Sequence, residues 1–196
     1  VGAMAVMMND QVFPKRYAEK GMVLLPREEF SCKCRAVADT LQGSEAVLIA
    51  RTDAYETLGV EEAIARCNAA VDAGARLTFV QGVKSREDAQ KIAGEVKGWK
   101  VFEMAHDGEN PDISFEELTA MGYRLVFCPT LMNAAFAQYE AAVQRVFQEK
   151  NDFFYDTVDL INGVERREFL GLNHWLELGK QYNPEINVAS KTQALD

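Results

Sequence analysis

Five apolar runs in this chain each end in side chains that can do chemistry. Asn9-Asp10 follows Ala3–Met8, Arg51-Thr52-Asp53 follows Ala46–Ala50, and Gln81 follows Leu77–Val80. Glu103 stands within Lys100–Ala105 with His106-Asp107 behind it, and Thr130 and Asn133 follow Tyr123–Pro129. Polar groups on otherwise buried strands cost free energy unless they have partners. A guanidinium at Arg51 suits a carboxylate or phosphate held through two N–H groups, or a structural ion pair with Asp53 or Asp10. Lys15, in the loop after the first run, either neutralises an anionic substrate or is a solvated charge. Glu103 lies inside its run, where a carboxylate either binds a substrate hydroxyl, acts as acid or base, or faces outward. His106 is a proton shuttle by residue type, or an ordinary loop histidine.

The segments around these residues alternate in period. Apolar runs of four to eight residues read as strands buried on both faces. Between them lie helical patterns. Pro26-Arg27-Glu28-Glu29 opens one, with Phe30, Cys34, Val37, Ala38 and Leu41 on its buried stripe and Gly43 as its stop. Val60, Ala63, Ile64, Cys67 and Val71 form a second stripe, with Gly74 at the cap position. Ser85 starts a third helix that runs to about Val96, and Ser114 with Glu117 forms a capping box for a fourth. A long helix carries Ala135, Phe136, Tyr139, Ala142, Val143, Val146 and Phe147, and helical stretches follow at Phe153–Ile161 and Phe169–Leu178. The tail after Pro184 is polar and expected to fray. Strand and helix thus alternate five times, which predicts an α/β fold with a parallel sheet. Both an open doubly wound sheet and a barrel satisfy that rhythm, but neither G-x-G-x-x-G nor G-x-x-x-x-G-K-[ST] occurs. A (β/α)8 barrel of TIM type takes about 250 residues, so the five units plus C-terminal helices read as its second part. Residues 1–150 are expected to form this partial barrel, strands four to eight, and 151–196 a helical extension and tail.

Composition narrows the partners. The chain has 196 residues, 48% of them hydrophobic, and a formal net charge of -9, enough apolar sequence for a real core. The acidic balance argues against nucleic acid or an anionic membrane surface. No apolar run is long enough to span a bilayer. Cys32, Cys34, Cys67 and Cys128 form no CxxC pair, and only two histidines are present, so the cysteines read as free thiols packed as small hydrophobes in a reducing cytoplasm. The opening Val1-Gly2-Ala3-Met4 has no initiator Met and no basic n-region, and reads as a cut beginning.

Three stretches together resemble one family. They are Asn9-Asp10-Gln11-Val12-Phe13-Pro14-Lys15-Arg16, Leu48-Ile49-Ala50-Arg51-Thr52-Asp53-Ala54, and the helix from Glu61-Glu62-Ala63-Ile64-Ala65-Arg66 to Asp72-Ala73-Gly74-Ala75. They resemble the E-D-Q…K-R-C-G-H strand and loop, the I-A-R-T-D-A strand and the following helix of the isocitrate lyase / phosphoenolpyruvate mutase superfamily, on its short-chain, 2-methylisocitrate lyase-like side. A weaker likeness is Phe169-Leu170-Gly171-Leu172. The resemblance implies a (β/α)8 barrel, Mg2+, a small 2-oxo or 2-hydroxy acid, and C–C or C–P chemistry through an enolate-like intermediate. It also implies homo-oligomers, dimers or tetramers with a swapped C-terminal helix.

Transferred residue by residue, it assigns Arg51 to substrate binding and catalysis, and Lys15 with Arg16 to the start of a loop over the site. Tyr17 stands where the lyases carry a catalytic Cys, with Ala18-Glu19 in place of Gly-His. Asn9 and Asp10 fall at the metal position, Asn9 replacing a Glu. Gln81 replaces a Glu, Glu103 an Asn that binds a substrate carboxylate, and Ala134 an Arg; Asn133 completes the substrate-binding set. The implied function is a Mg2+-dependent C–C lyase or decarboxylase-type enzyme on a small acid with few carboxylates. The alternatives are a Cys-less phosphonopyruvate or PEP mutase- or hydrolase-like enzyme, or a non-catalytic barrel homologue. A half barrel exposes sheet edges and apolar helix faces, so the chain is expected to need a partner or the rest of a barrel.

Overall fold

A computed structural model describes residues 2–15, 21–105, 110–151 and 163–182. Arg16, Tyr17, Ala18, Glu19, His106, Asp107, the Phe153–Ile161 stretch and the tail after Pro184 lie outside these. The first strand, β1, is Ala5–Asn9, and Pro26 then opens helix α1, Arg27–Thr40. Strand β2 is Val47–Thr52, followed by a short helix α2, Ala54–Leu58, and by α3, Val60–Asp72. Strand β3 is Leu77–Val80, α4 is Arg86–Glu95, β4 is Trp99–Glu103, α5 is Phe115–Met121 and β5 is Tyr123–Phe127. Helices α6, Thr130–Glu149, α7, Gly163–Phe169, and α8, Leu172–Tyr182, complete the described elements.

Local chemistry accounts for most of these boundaries. The Ser85 hydroxyl caps α4 by accepting from the Asp88 amide, and Ser114 and Glu117 make the reciprocal capping box of α5. Two elements differ from expectation. Helix α2 was not anticipated, because its five residues carry no periodic stripe. The expected helix from Phe169 is divided, because Gly171 takes a positive φ of 78° and separates α7 from α8.

The sheet order is β1-β2-β3-β4-β5, and every pairing is parallel. A doubly wound sheet reverses its strand order at a switch point. Strictly sequential order is the winding of a barrel wall. On one face Ile49, Leu77, Phe79 and Val101 pack together. On the other, Leu48 and Ala50 meet Phe30 and Cys34 of α1 and Ala70 of α3. Farther along that face, Val80, Phe102 and Tyr123 pack with Ile64 and Cys67 of α3, Ile92 of α4 and Leu118 of α5. The buried Tyr123 hydroxyl donates to the Ala89 carbonyl at 2.8 Å, tying β5 to α4. The chain divides into two compact units, Val1–Tyr139 and Glu140–Asp196. Among the described residues no helix is long and apolar enough to cross a membrane.

Two predictions follow from this packing. Gly74, just past α3, has φ +108°, and a Cβ there would sit 2.7 Å from the Ala38 Cβ on α1. Gly74→Ala therefore combines backbone strain with a clash and is expected to cost about 2 kcal/mol or more in urea unfolding; an unchanged midpoint would contradict this contact. Burial pushes the Cys34 and Cys67 thiols up to about 12, whereas Cys32 is exposed. At pH 8 a thiol reagent should label Cys32 in the native protein and reach Cys34 and Cys67 only after unfolding, as read by mass spectrometry.

Candidate functional site

The carboxyl ends of the strands bring most of the expected polar residues onto one wall. The register aligns Asn9 with Arg51, Arg51 with Phe79, Phe79 with Val101, and Val101 with Leu125. Side chains alternate faces with period two, so Glu103 shares the face of Val101, one step nearer the strand ends. Gln81 stands in the same relation to Phe79.

Beneath this wall sits a buried carboxylate. Asp10 is 0% exposed. Its Oδ1 accepts the Asp53 amide at 2.9 Å, and its Oδ2 accepts the Thr52 hydroxyl at 2.6 Å and Arg66 Nη1 at 3.1 Å. Arg66 also donates to the Leu25 carbonyl at 2.8 Å and to Glu62 at 2.8 Å. Glu62 in turn pairs with Arg27, and these guanidinium partners hold its carboxyl below the usual range. Charge therefore alternates from the core to the surface: Asp10, Arg66, Glu62, Arg27.

Asp53 is the second anchor. Its Oδ1 accepts from Arg51 Nε at 2.8 Å and forms an ion pair with Nη2 at 2.7 Å. Its Oδ2 accepts Gln11 Nε2 at 2.7 Å and Asn9 Nδ2 at 3.2 Å. The Arg51 guanidinium lies 5.5 Å from the centroid of the Phe79 ring. Held in plane by Asp53 and stacked on an aromatic face, it is a fixed cation, 19% exposed. No partner to its Nη1 is present among the described residues. On the next strands, Gln81 Nε2 donates to Glu103 Oε2 at 2.5 Å, and Gln81 Oε1 is buried without a partner. One residue past Glu103, Met104 lines a cleft of about 540 Å3 shared with Ile113, Phe115, Cys128 and Leu131.

The structure thus gathers Asn9, Arg51, Gln81 and Glu103 on the wall. Lys15 is exposed in the loop beyond β1, and Asn133 is exposed in the first turn of α6; among the described residues neither makes a hydrogen bond or ion pair to the wall residues. Asp10, expected at the metal position, has both oxygens engaged by protein donors in a fully buried position, where it clamps the fold. Asn9 turns its amide N–H toward Asp53. No cluster of three or more His, Cys, Asp or Glu among the described residues fits a metal ion. These residues therefore do not make up a Mg2+ site. Sequence reasoning missed Gln11 and Arg66. The signal for Arg66 was its spacing, three residues after buried Ala63 and four before buried Ala70.

Known proteins place this geometry. The model of the family described as phosphoenolpyruvate phosphomutase matches residues 1–147. The petal death protein of Dianthus caryophyllus is 29% identical over 92% of this chain and 57% of its own length. The 2,3-dimethylmalate lyase of Eubacterium barkeri is 32% identical over 92% of this chain and 63% of its own. A structure of oxaloacetate acetylhydrolase in complex with the inhibitor 3,3-difluorooxalacetate superposes with a TM-score of 0.80 at 29% identity, over 90% of this chain and 60% of that one. The chain thus spans about three fifths of the length of these relatives.

Breaking the buried pair from one side leaves an uncompensated charge. Arg66→Met is expected to lower unfolding free energy by about 3–5 kcal/mol. Asp10→Asn combined with Arg66→Met should recover part of that loss, because the stranded charge is gone. A double variant no more stable than Arg66→Met in urea titration would refute the pairing.

Proposed function

Because the chain belongs to the phosphoenolpyruvate phosphomutase family, whose solved members are (β/α)8-barrel enzymes, we propose that it is a carbon–carbon lyase or decarboxylase-type enzyme. Its substrate is a small 2-oxo or 2-hydroxy carboxylic acid, and the reaction passes through an enolate-like intermediate. The observation that carries this reading is the fixed Arg51 guanidinium on the wall at the carboxyl ends of the strands. The similarity to a dimethylmalate lyase and an oxaloacetate acetylhydrolase supports it.

Arg51 receives the substrate carboxylate, and Asp53 with the Phe79 ring prevents the guanidinium from following the ligand as charge develops. A cation held before the reaction stabilises an oxyanion without reorganisation. Asn9 and Gln11 hold Asp53 on its other oxygen. Lys15 supplies further positive charge from the loop above, and Tyr17 is the proposed proton donor. Mg2+ is the cofactor that the family resemblance implies. A Cys-less mutase or hydrolase fits the same site equally, and Tyr17 in place of a thiol favours it over an isocitrate-type cleavage. We further propose a homo-oligomer in a reducing cytoplasm, consistent with the four free thiols.

The test is release of pyruvate or glyoxylate from a panel of 2-hydroxy acids carrying one or two carboxylates, with and without Mg2+. Arg51→Ala is expected to reduce turnover about a hundredfold. Unchanged turnover in Arg51→Ala would overturn the site. No turnover together with no Mg2+-dependent thermal shift would favour the non-catalytic homologue.

A further inference from the structure

Two hydrogen-bond acceptors on the wall, Gln81 Oε1 and Glu103 Oε1, have no donor among the described residues. Glu103 is partly buried on the face of Val101, and one of its oxygens takes the Gln81 amide N–H. That bond fixes the Gln81 amide, since turning it over would set its oxygen against the carboxylate. Gln81 Oε1 is thereby left buried and unsatisfied. Such an acceptor costs free energy in the empty protein and recovers it when a donor arrives. No cation pairs with Glu103 among the described residues, so the position also carries an uncancelled negative charge.

We propose that Glu103 and Gln81 read the far end of the substrate and require a hydrogen-bond donor there, a hydroxyl or an ammonium, while excluding a second carboxylate. This rests on the reading that Arg51 holds the first carboxylate. Arg51 and Glu103 stand on β2 and β4, two strand spacings apart, or about 10 Å of sheet. With both side chains reaching inward from this one wall, the span between them suits a chain of roughly four carbons. Two acceptors at one end and a guanidinium at the other make a polar slot with a direction. An acid with one carboxylate and one distal donor satisfies both ends. A diacid satisfies Arg51 and meets like charge at Glu103.

Three four-carbon probes isolate this feature: succinate, 4-hydroxybutanoate and 4-aminobutanoate share a chain and one carboxylate and differ at the other end. Their dissociation constants would be measured calorimetrically with the full chain. Succinate is expected to bind at least about tenfold more weakly than the other two. Glu103→Gln should bring the three to within about threefold of one another by removing the repulsion. Gln81→Leu keeps the charge but deletes the buried acceptor; it should weaken 4-hydroxybutanoate and leave succinate excluded. Thermal unfolding of each variant checks that it folds. Succinate binding as tightly as the others, or a preference that survives Glu103→Gln, would overturn the proposal. If Arg51→Ala leaves all three affinities unchanged while Glu103→Gln still erases the preference, the Arg51 assignment fails and selection at Glu103 stands. Absence of binding by all three probes overturns both.

Discussion

A single carboxylate without solvent contact, Asp10, governs how the end of this sheet is built. Desolvating a charge costs several kcal/mol unless donors replace the lost water. Here the donors come from three places in sequence: the Thr52 hydroxyl, the Asp53 amide and Arg66 on α3. Satisfying Asp10 therefore ties the ends of β1 and β2 together and draws α3 onto them. It also turns the backbone at Asp53, so that this second carboxylate rises onto the wall and meets Arg51. The clamp and the site are consecutive links of one network. Asp10 supplies the order, and Asp53 uses it.

The wall divides by depth for a related reason. Lower rows are apolar: Val47, Ile49, Leu77, Phe79 and Val101 pack edge to edge, and Phe79 meets Phe127 in a T-shaped contact at 5.4 Å. Apolar neighbours offer no partner to a polar group, so on this face polar side chains gather at the last residues of the strands. The confinement concentrates Asn9, Arg51, Asp53, Gln81 and Glu103 within two rows. Chemistry gathers at the strand ends because these are the first positions where a charge can be held without burying it whole.

The strand-and-helix order was legible in the sequence because each signal is local. A run such as Leu77–Val80, a capping box such as Ser114-x-x-Glu117, or a glycine such as Gly74 states its role within a few residues. The wall residues were legible for the same reason, as polar breaks at the ends of apolar runs. What Asp10 does was not legible. Its partner Arg66 is 56 residues away, and nothing near Asn9-Asp10 distinguishes a clamp from a metal ligand. The Gln81–Glu103 bond escaped for a similar reason: two polar strand ends name no partner until the order β3-β4 sets them side by side. The resemblance to a known family pointed to the right barrel but assigned Asp10 by position, and only the hydrogen bonds reveal that both its oxygens accept from protein donors.

Formal charge completes the argument about what this wall can hold. Asp10 is answered by Arg66 beneath the surface, so it drops out. On the wall itself, Arg51 stands against Asp53 and Glu103, which leaves one negative charge in excess. A carboxylate added to Arg51 adds another, in a setting where charges interact more strongly than in water. Some positive group must therefore accompany the acid. An ammonium on the substrate would face Glu103 directly. Lys15 is the protein's own candidate, since it stands in the loop beyond β1 and is exposed. A hydroxyl at Glu103 removes the need for a further cation at that end and leaves only the first carboxylate to be balanced. The wall's excess charge thus works together with the orphaned Gln81 oxygen: both disfavour a second carboxylate, and both are relieved by a donor.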